Sequence, residues 1–127
     1  MEKNIEEIIN VSDYLYKNKL VAGKAGNVSA RFKGEDGDVI AITPTLKSLY
    51  ELNEEDIVLV DLEGNLLTNG KPSSEVDLHL EIYKKRSEVS YGKYNYSRHF
   101  RSNRRNTFMW RSFHEDRSFK YKFYGSW

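Results

Sequence analysis

The chain has 127 residues, 20 Lys and Arg against 19 Asp and Glu, and a net charge of +1. That length supports one domain with a single core. The lack of cysteine excludes a disulfide framework and thiolate metal sites. With no apolar run long enough to cross a bilayer and no signal-peptide pattern, the expectation is a soluble cytoplasmic protein with no membrane partner.

Ile5, Ile8, Ile9, Leu15 and Tyr16 recur at near-helical spacing, with Ser12 filling the missing step. Glu6 and Glu7 lie early and Lys17 and Lys19 late, as a helix dipole prefers. The pattern predicts an amphipathic helix from about Asn4 to Lys19. Gly23-Lys24-Ala25-Gly26-Asn27 follows, a loop of small residues with Lys24 and Asn27 as donors that could cradle a phosphate. Such a loop alone is more often an ordinary turn. Val28, Ala30 and Phe32 alternate with Ser29 and Arg31, which places a strand from near Asn27.

Gly34-Glu35-Asp36-Gly37-Asp38 reads as a hairpin turn, and Val39–Ile42 as a short apolar strand. Thr43-Pro44-Thr45 puts two hydroxyls at its end. Residues 48–56 read as loop and short helix. Ile57–Val60 reads as a buried strand, and Asp61-Leu62-Glu63-Gly64-Asn65 as a turn into a partner strand at Leu66-Leu67.

In Lys71-Pro72-Ser73-Ser74-Glu75, an extended segment should turn into a helix. Pro72 fixes its own φ and keeps Lys71 extended. Ser73 and Ser74 suit an N-cap, and Glu75 suits the first turn. A helix N-terminus attracts anions, but on these five residues alone a capped helix explains the pattern. Val76, Leu80 and Tyr83 share the buried face of that helix. His79 lies beside it and reads as a packed, hydrogen-bonded core residue rather than a ligand.

The composition then changes sharply. Residues 1–89 hold 11 Lys and Arg against 17 Asp and Glu, a net of −6; residues 90–127 hold 9 against 2, a net of +7. The later segment carries 12 of the 17 aromatic residues and has no Ala, Val, Leu, Ile or Pro. Two segments of different history are the natural reading: 1–89 as a domain portion, and 90–127 as an aromatic, basic tail.

Three spaced pieces, Gly23-Lys24-Ala25-Gly26-Asn27-Val28-Ser29, Ile42-Thr43-Pro44-Thr45 and Lys71-Pro72-Ser73-Ser74-Glu75, together resemble the class II aldolase/adducin family. The likeness is nearest to its zinc-dependent sugar-phosphate aldolases of the fuculose-phosphate type. It spans about residues 5–89, including the hairpin at 60–65. The fold it implies is α/β, the N-terminal portion of a domain whose central, mostly antiparallel sheet is flanked by helices. The implied activity is retro-aldol cleavage of a phosphorylated ketose. By this resemblance Gly26, Asn27, Thr45, Ser73 and Ser74 hold the substrate phosphate. Glu75 is the general acid/base beside a zinc ion that polarises the carbonyl. Cyclic homotetramers are also implied.

Two departures stand out. The family's Thr-Pro-Thr/Ser is normally followed by Gly, where this chain has Leu46, and a Cβ there would hinder a phosphate–backbone contact. The family's His-x-His, two of three zinc ligands, falls on Tyr94 and Tyr96. Tyrosine, with a pKa near 10, is a poor zinc ligand, so the expectation is no bound zinc and little or no aldolase activity. His99 and His114, with Glu115 and Asp116 beside the second, follow no recognised ligand spacing. Lacking aliphatic residues, the tail is not expected to make core strands. Its absence from the sheet would leave Val39–Ile42 and Ile57–Val60 exposed and the protein prone to aggregation. An out-of-frame, poorly ordered continuation ranks first for residues 90–127. A nucleic-acid-binding tail using Arg98, Arg101, Arg104, Arg105 and Arg111 with Tyr94, Phe100, Phe108 and Trp110 ranks second. An adducin-like interaction module ranks third.

Overall fold

The computed structural model describes residues 2–19, 26–85, 93–102, 105–114 and 119–126. Helix α1 runs Glu2–Lys17, and strands β1 and β2 run Gly26–Gly34 and Gly37–Ile42. Strand β3 is Val58–Asp61 and helix α2 is Val76–Lys85. Strands β4, β5 and β6 are Lys93–Ser102, Arg105–His114 and Phe119–Ser126. The strands form one antiparallel sheet in the order β3-β2-β1-β4-β5-β6.

Ile8, Ser12 and Leu15 are fully buried, at the helical spacing the sequence predicts. The helix stops two residues before the expected Lys19. Lys19 adopts the left-handed φ of 58°, and the Asn18 side-chain amide donates to the Tyr14 carbonyl at 2.8 Å.

Strand β2 explains the fold's layering. Val39 and Ala41 face one apolar layer with Ile8, Leu15, Val28 and Leu59. Ile40 and Ile42 face the other, with Val58, Val60, Leu80 and Tyr83. An unbroken apolar run is what a strand buried on both faces requires. The single core expected from chain length is therefore two layers, one on each face of the sheet. The strands expected to be exposed are buried on both faces, by α1 on one side and α2 on the other.

The hairpin predicted at 34–38 closes β1 on β2, with Gly34 paired to Gly37. A Cβ at Gly34 would meet Val39 Cγ2 at 2.7 Å. The turn after β3 is held by Asp61, whose Oδ1 accepts from the backbone N–H of Glu63 and Asn65. The partner strand expected at Leu66-Leu67 is reduced to a bridge between Val60 and Leu66. The ladder ends there because the Thr68 hydroxyl, not a carbonyl, accepts from the Leu59 N–H at 3.0 Å.

The expectation that no core strand forms after Val89 is corrected. Strand β4 pairs with β1 from Gly26–Arg98 to Ala30–Tyr94, and β5 and β6 continue the sheet. Aliphatic residues are not the only strand formers: Tyr, Phe and Trp all favour extended backbone, and this segment is rich in them. Among the described residues, no helix is long and apolar enough to cross a membrane.

Candidate functional site

The three segments singled out in the sequence meet at one end of the sheet. Thr43, just past β2, accepts from the Val28 N–H through Oγ1 and donates its own N–H to the Val28 carbonyl, both at 3.0 Å. Its carbonyl accepts from Ser73 N–H at 3.0 Å. Thr45 N–H donates to the Lys71 carbonyl at 3.1 Å, and Pro44 bridges to Pro72. Thr43 thus ties β1 to the segment entering α2. Both prolines lie in extended stretches, as their fixed φ favours.

Ser73 caps α2. Its Oγ accepts from Glu75 N–H at 3.2 Å, and its carbonyl accepts from Val76 N–H. A hydroxyl used as an acceptor still has its proton to give to a ligand. Ser73 and Asn27 are buried, Gly26, Thr45 and Glu75 are half-buried, and Ser74 is exposed. Gly23 and Lys24 of the small-residue loop lie outside the described residues, as do Arg104, Glu115 and Asp116.

Leu46, the departure after Thr45, adopts the left-handed φ of 59° with its side chain 78% exposed. This backbone suits glycine and strains a leucine by about 1 kcal/mol. The side chain points to solvent instead of filling a packed space. Leu46→Gly is expected to stabilise the chain by about 1 kcal/mol, seen as a higher urea midpoint at unchanged m-value.

His79 is fully buried, as is Ser29 beside it. The packed, hydrogen-bonded role expected of it holds. Its Nδ1 lies 2.6 Å from Ser29 Oγ, which lies 2.8 Å from the Tyr83 hydroxyl, and its Nε2 is hydrogen-bonded to Asn27 Oδ1. Burial pushes its pKa from 6.5 down to about 3, so the ring is neutral at pH 7. Beyond it, Arg31 sets its guanidinium 5.3 Å from the centre of the Tyr83 ring and donates to the Tyr83 carbonyl at 3.3 Å.

Sequence reasoning missed Thr43, Ser29 and Tyr83 as members of this arrangement. The signal was present in the spacing. Asn27, Ser29 and Arg31 alternate along one face of β1, and His79 and Tyr83 stand one helical turn apart.

The two positions expected to carry metal ligands are in β4, where Tyr94 pairs with Ala30 and Tyr96 with Val28. The site residues Asn27 and Ser29 pair instead with Ser97 and Asn95. Among the described residues, no three His, Cys, Asp or Glu side chains stand close enough to hold a metal ion. A phenol is a poorer zinc donor than the imidazoles expected at 94 and 96.

An antiparallel sheet between two helices, with hydroxyl-bearing turns gathered where α2 begins, defines an α/β protein. The Class II Aldolase and Adducin N-terminal domain family matches residues 6–100, and the chain belongs to that family. The match runs past Val89, the limit expected from the sequence, and into β4. The chain is 44% identical over 87 residues to the L-fuculose phosphate aldolase of Methanococcus maripaludis, covering 68% of this chain and 46% of that protein. It is 36% identical over 91 residues to the 5-deoxy-D-ribulose 1-phosphate aldolase of Bacillus thuringiensis, covering 71% and 42%. A solved L-fuculose 1-phosphate aldolase superposes with a TM-score of 0.63 at 30% identity, covering 75% of this chain and 43% of that one. The chain spans less than half the length of each of these relatives.

Proposed function

We propose that this chain carries the phosphate-holding half of a sugar-phosphate aldolase site and binds a phosphorylated ketose of the fuculose-phosphate type. The observation that supports this reading is the meeting of the segments 26–29, 43–45 and 71–75 through Thr43 and Thr45. Gly26 and Thr45 line the cradle, while the Asn27 amide and the Ser73 and Ser74 hydroxyls donate to the phosphate. The N-terminus of α2 adds favourable polarity. Such neutral donors bind a dianion without a buried cation. Glu75, at the entry to α2, stands where the family places its proton carrier, beside the bound sugar.

Zinc is the family's expected cofactor, and Tyr94 and Tyr96 do not suit it, so this chain binds the sugar phosphate without cleaving it. Calorimetry with L-fuculose 1-phosphate, metal analysis and a cleavage assay test the reading together. Binding that Asn27→Ala weakens about tenfold, without turnover, is the expected result, since one hydrogen bond to a charged ligand contributes about 1.5 kcal/mol or more. Stoichiometric zinc with turnover would overturn the inactive part of the reading. No binding to the unaltered chain would overturn all of it.

For residues 90–127 we retain the proposal of an out-of-frame continuation. Sequencing the coding DNA across codons 86–92 decides it. A second frame encoding an apolar strand with His-x-His is expected; its absence makes the tail genuine.

A further inference from the structure

We infer that His79 is a positioning residue for the anion site: its ring holds the Asn27 amide oxygen, so that the nitrogen is the end of the amide offered to a phosphate. The inference rests on the phosphate reading above and adds a residue that does not itself touch the anion.

The argument is one of donors and acceptors. Asn27 Oδ1 can only accept, so His79 Nε2 must carry the ring proton. The ring is neutral, so Nδ1 then has a lone pair and no hydrogen. Ser29 Oγ, 2.6 Å away, must donate to it. The Ser29 oxygen, its proton spent, accepts from the Tyr83 hydroxyl at 2.8 Å. One hydrogen-bond direction therefore runs from Tyr83 through Ser29 and His79 to Asn27. Reversing it requires the other ring tautomer, which would present a lone pair to Asn27 and draw the amide nitrogen inward. The amide oxygen would then face the anion and repel it.

The relay is built on rigid elements. Asn27 and Ser29 stand two residues apart on β1, and His79 and Tyr83 one turn apart on α2. All four residues are buried, so water does not compete for these bonds. Burial also keeps the ring neutral, with a pKa of about 3, and so preserves the direction through the physiological range. The turn through Ser73 runs straight into the same helix, so one stretch of chain positions both the hydroxyls and the ring behind the amide.

The test has two parts, both on the full chain. Long-range ¹H–¹⁵N spectra of the unaltered protein report the His79 tautomer, and the Nε2–H form is expected. The Nδ1–H form overturns the inference, whatever the variants do. Titration with inorganic phosphate is then compared for the unaltered chain, Asn27→Ala, His79→Leu and His79→Gln. Glutamine keeps an N–H donor near the Nε2 position, and leucine keeps none. His79→Leu is expected to weaken phosphate about tenfold, as Asn27→Ala does, and His79→Gln to restore most of the loss. Phosphate binding that His79→Leu leaves unchanged overturns the inference alone. No phosphate binding by the unaltered chain overturns the phosphate reading and the inference with it.

Discussion

Lowering the pH from 7 to 4.5 is expected to destabilise the protein by about 2 to 3 kcal/mol, and most of that loss is assigned to His79. In the unfolded chain this histidine titrates near 6.5; in the fold, burial holds it at about 3. Between those values the unfolded state binds a proton that the folded state refuses. Stability therefore falls as pH drops from 6.5, by up to about 1.4 kcal/mol per unit, and the loss saturates near pH 3. Above pH 6.5 the group has no effect.

Two carboxylates act lower down. The Lys47 ammonium beside Asp56 and the Asn65 side-chain amide on Asp61 hold these carboxyls below their usual 3.8. Their contribution is complete above that value and is lost only as pH falls through the lowered folded values. Between pH 6.5 and 4.5 these two carboxylates therefore add little to the slope. Urea unfolding at pH 7, 5.5 and 4.5 measures the slope, and His79→Gln should flatten it whatever its own effect on stability at pH 7. A slope that persists in the variant would place the acid sensitivity elsewhere.

Ile42→Ala is expected to cost about 2 to 5 kcal/mol, a large share of the 5–15 kcal/mol that holds a typical domain folded. Ile42 is fully buried in the layer shared by β2, β3 and α2. Neighbouring residues of β2 are held in ladders on both sides, which limits collapse into the cavity. The next residue is Thr43, whose three hydrogen bonds join β1, β2 and the entry to α2. Loosening Ile42 should therefore weaken phosphate binding as well as stability. Leu67→Ala is the control: Leu67 is half exposed beyond the end of the ladder, and its loss should change stability by no more than about 0.5 kcal/mol. Chemical denaturation with the m-value held as a check measures both.

Much of the fold was legible because local chemistry and tertiary placement agree. The amphipathic spacing of Ile8, Ser12 and Leu15 gave α1, the glycine-flanked acidic turn gave the β1–β2 hairpin, and Pro72 with Ser73 gave the start of α2. The strands of residues 93–126 were not legible, because the segment lacks the aliphatic residues that mark most buried strands. Aromatic side chains favour extended backbone without them, and pairing with β1 supplies hydrogen bonds to β4. Leu46 was legible as a departure, but its left-handed backbone was not, since φ is fixed by the closure of the turn.

By itself the sequence determined which residue types stand at the site: hydroxyls and an amide able to donate to an anion, and an acid at a helix start. Its alternating and helical spacings also fixed which of them share a face, because those periods belong to the backbone. Only the tertiary structure decided that Thr43 joins the three segments and that His79 meets Asn27 and Ser29, residues some fifty positions earlier in the chain. Contacts of that range depend on how α2 packs across the sheet, and that packing is set by the apolar layer of Ile40, Ile42, Val58, Val60 and Leu80 as a whole rather than by any local pattern.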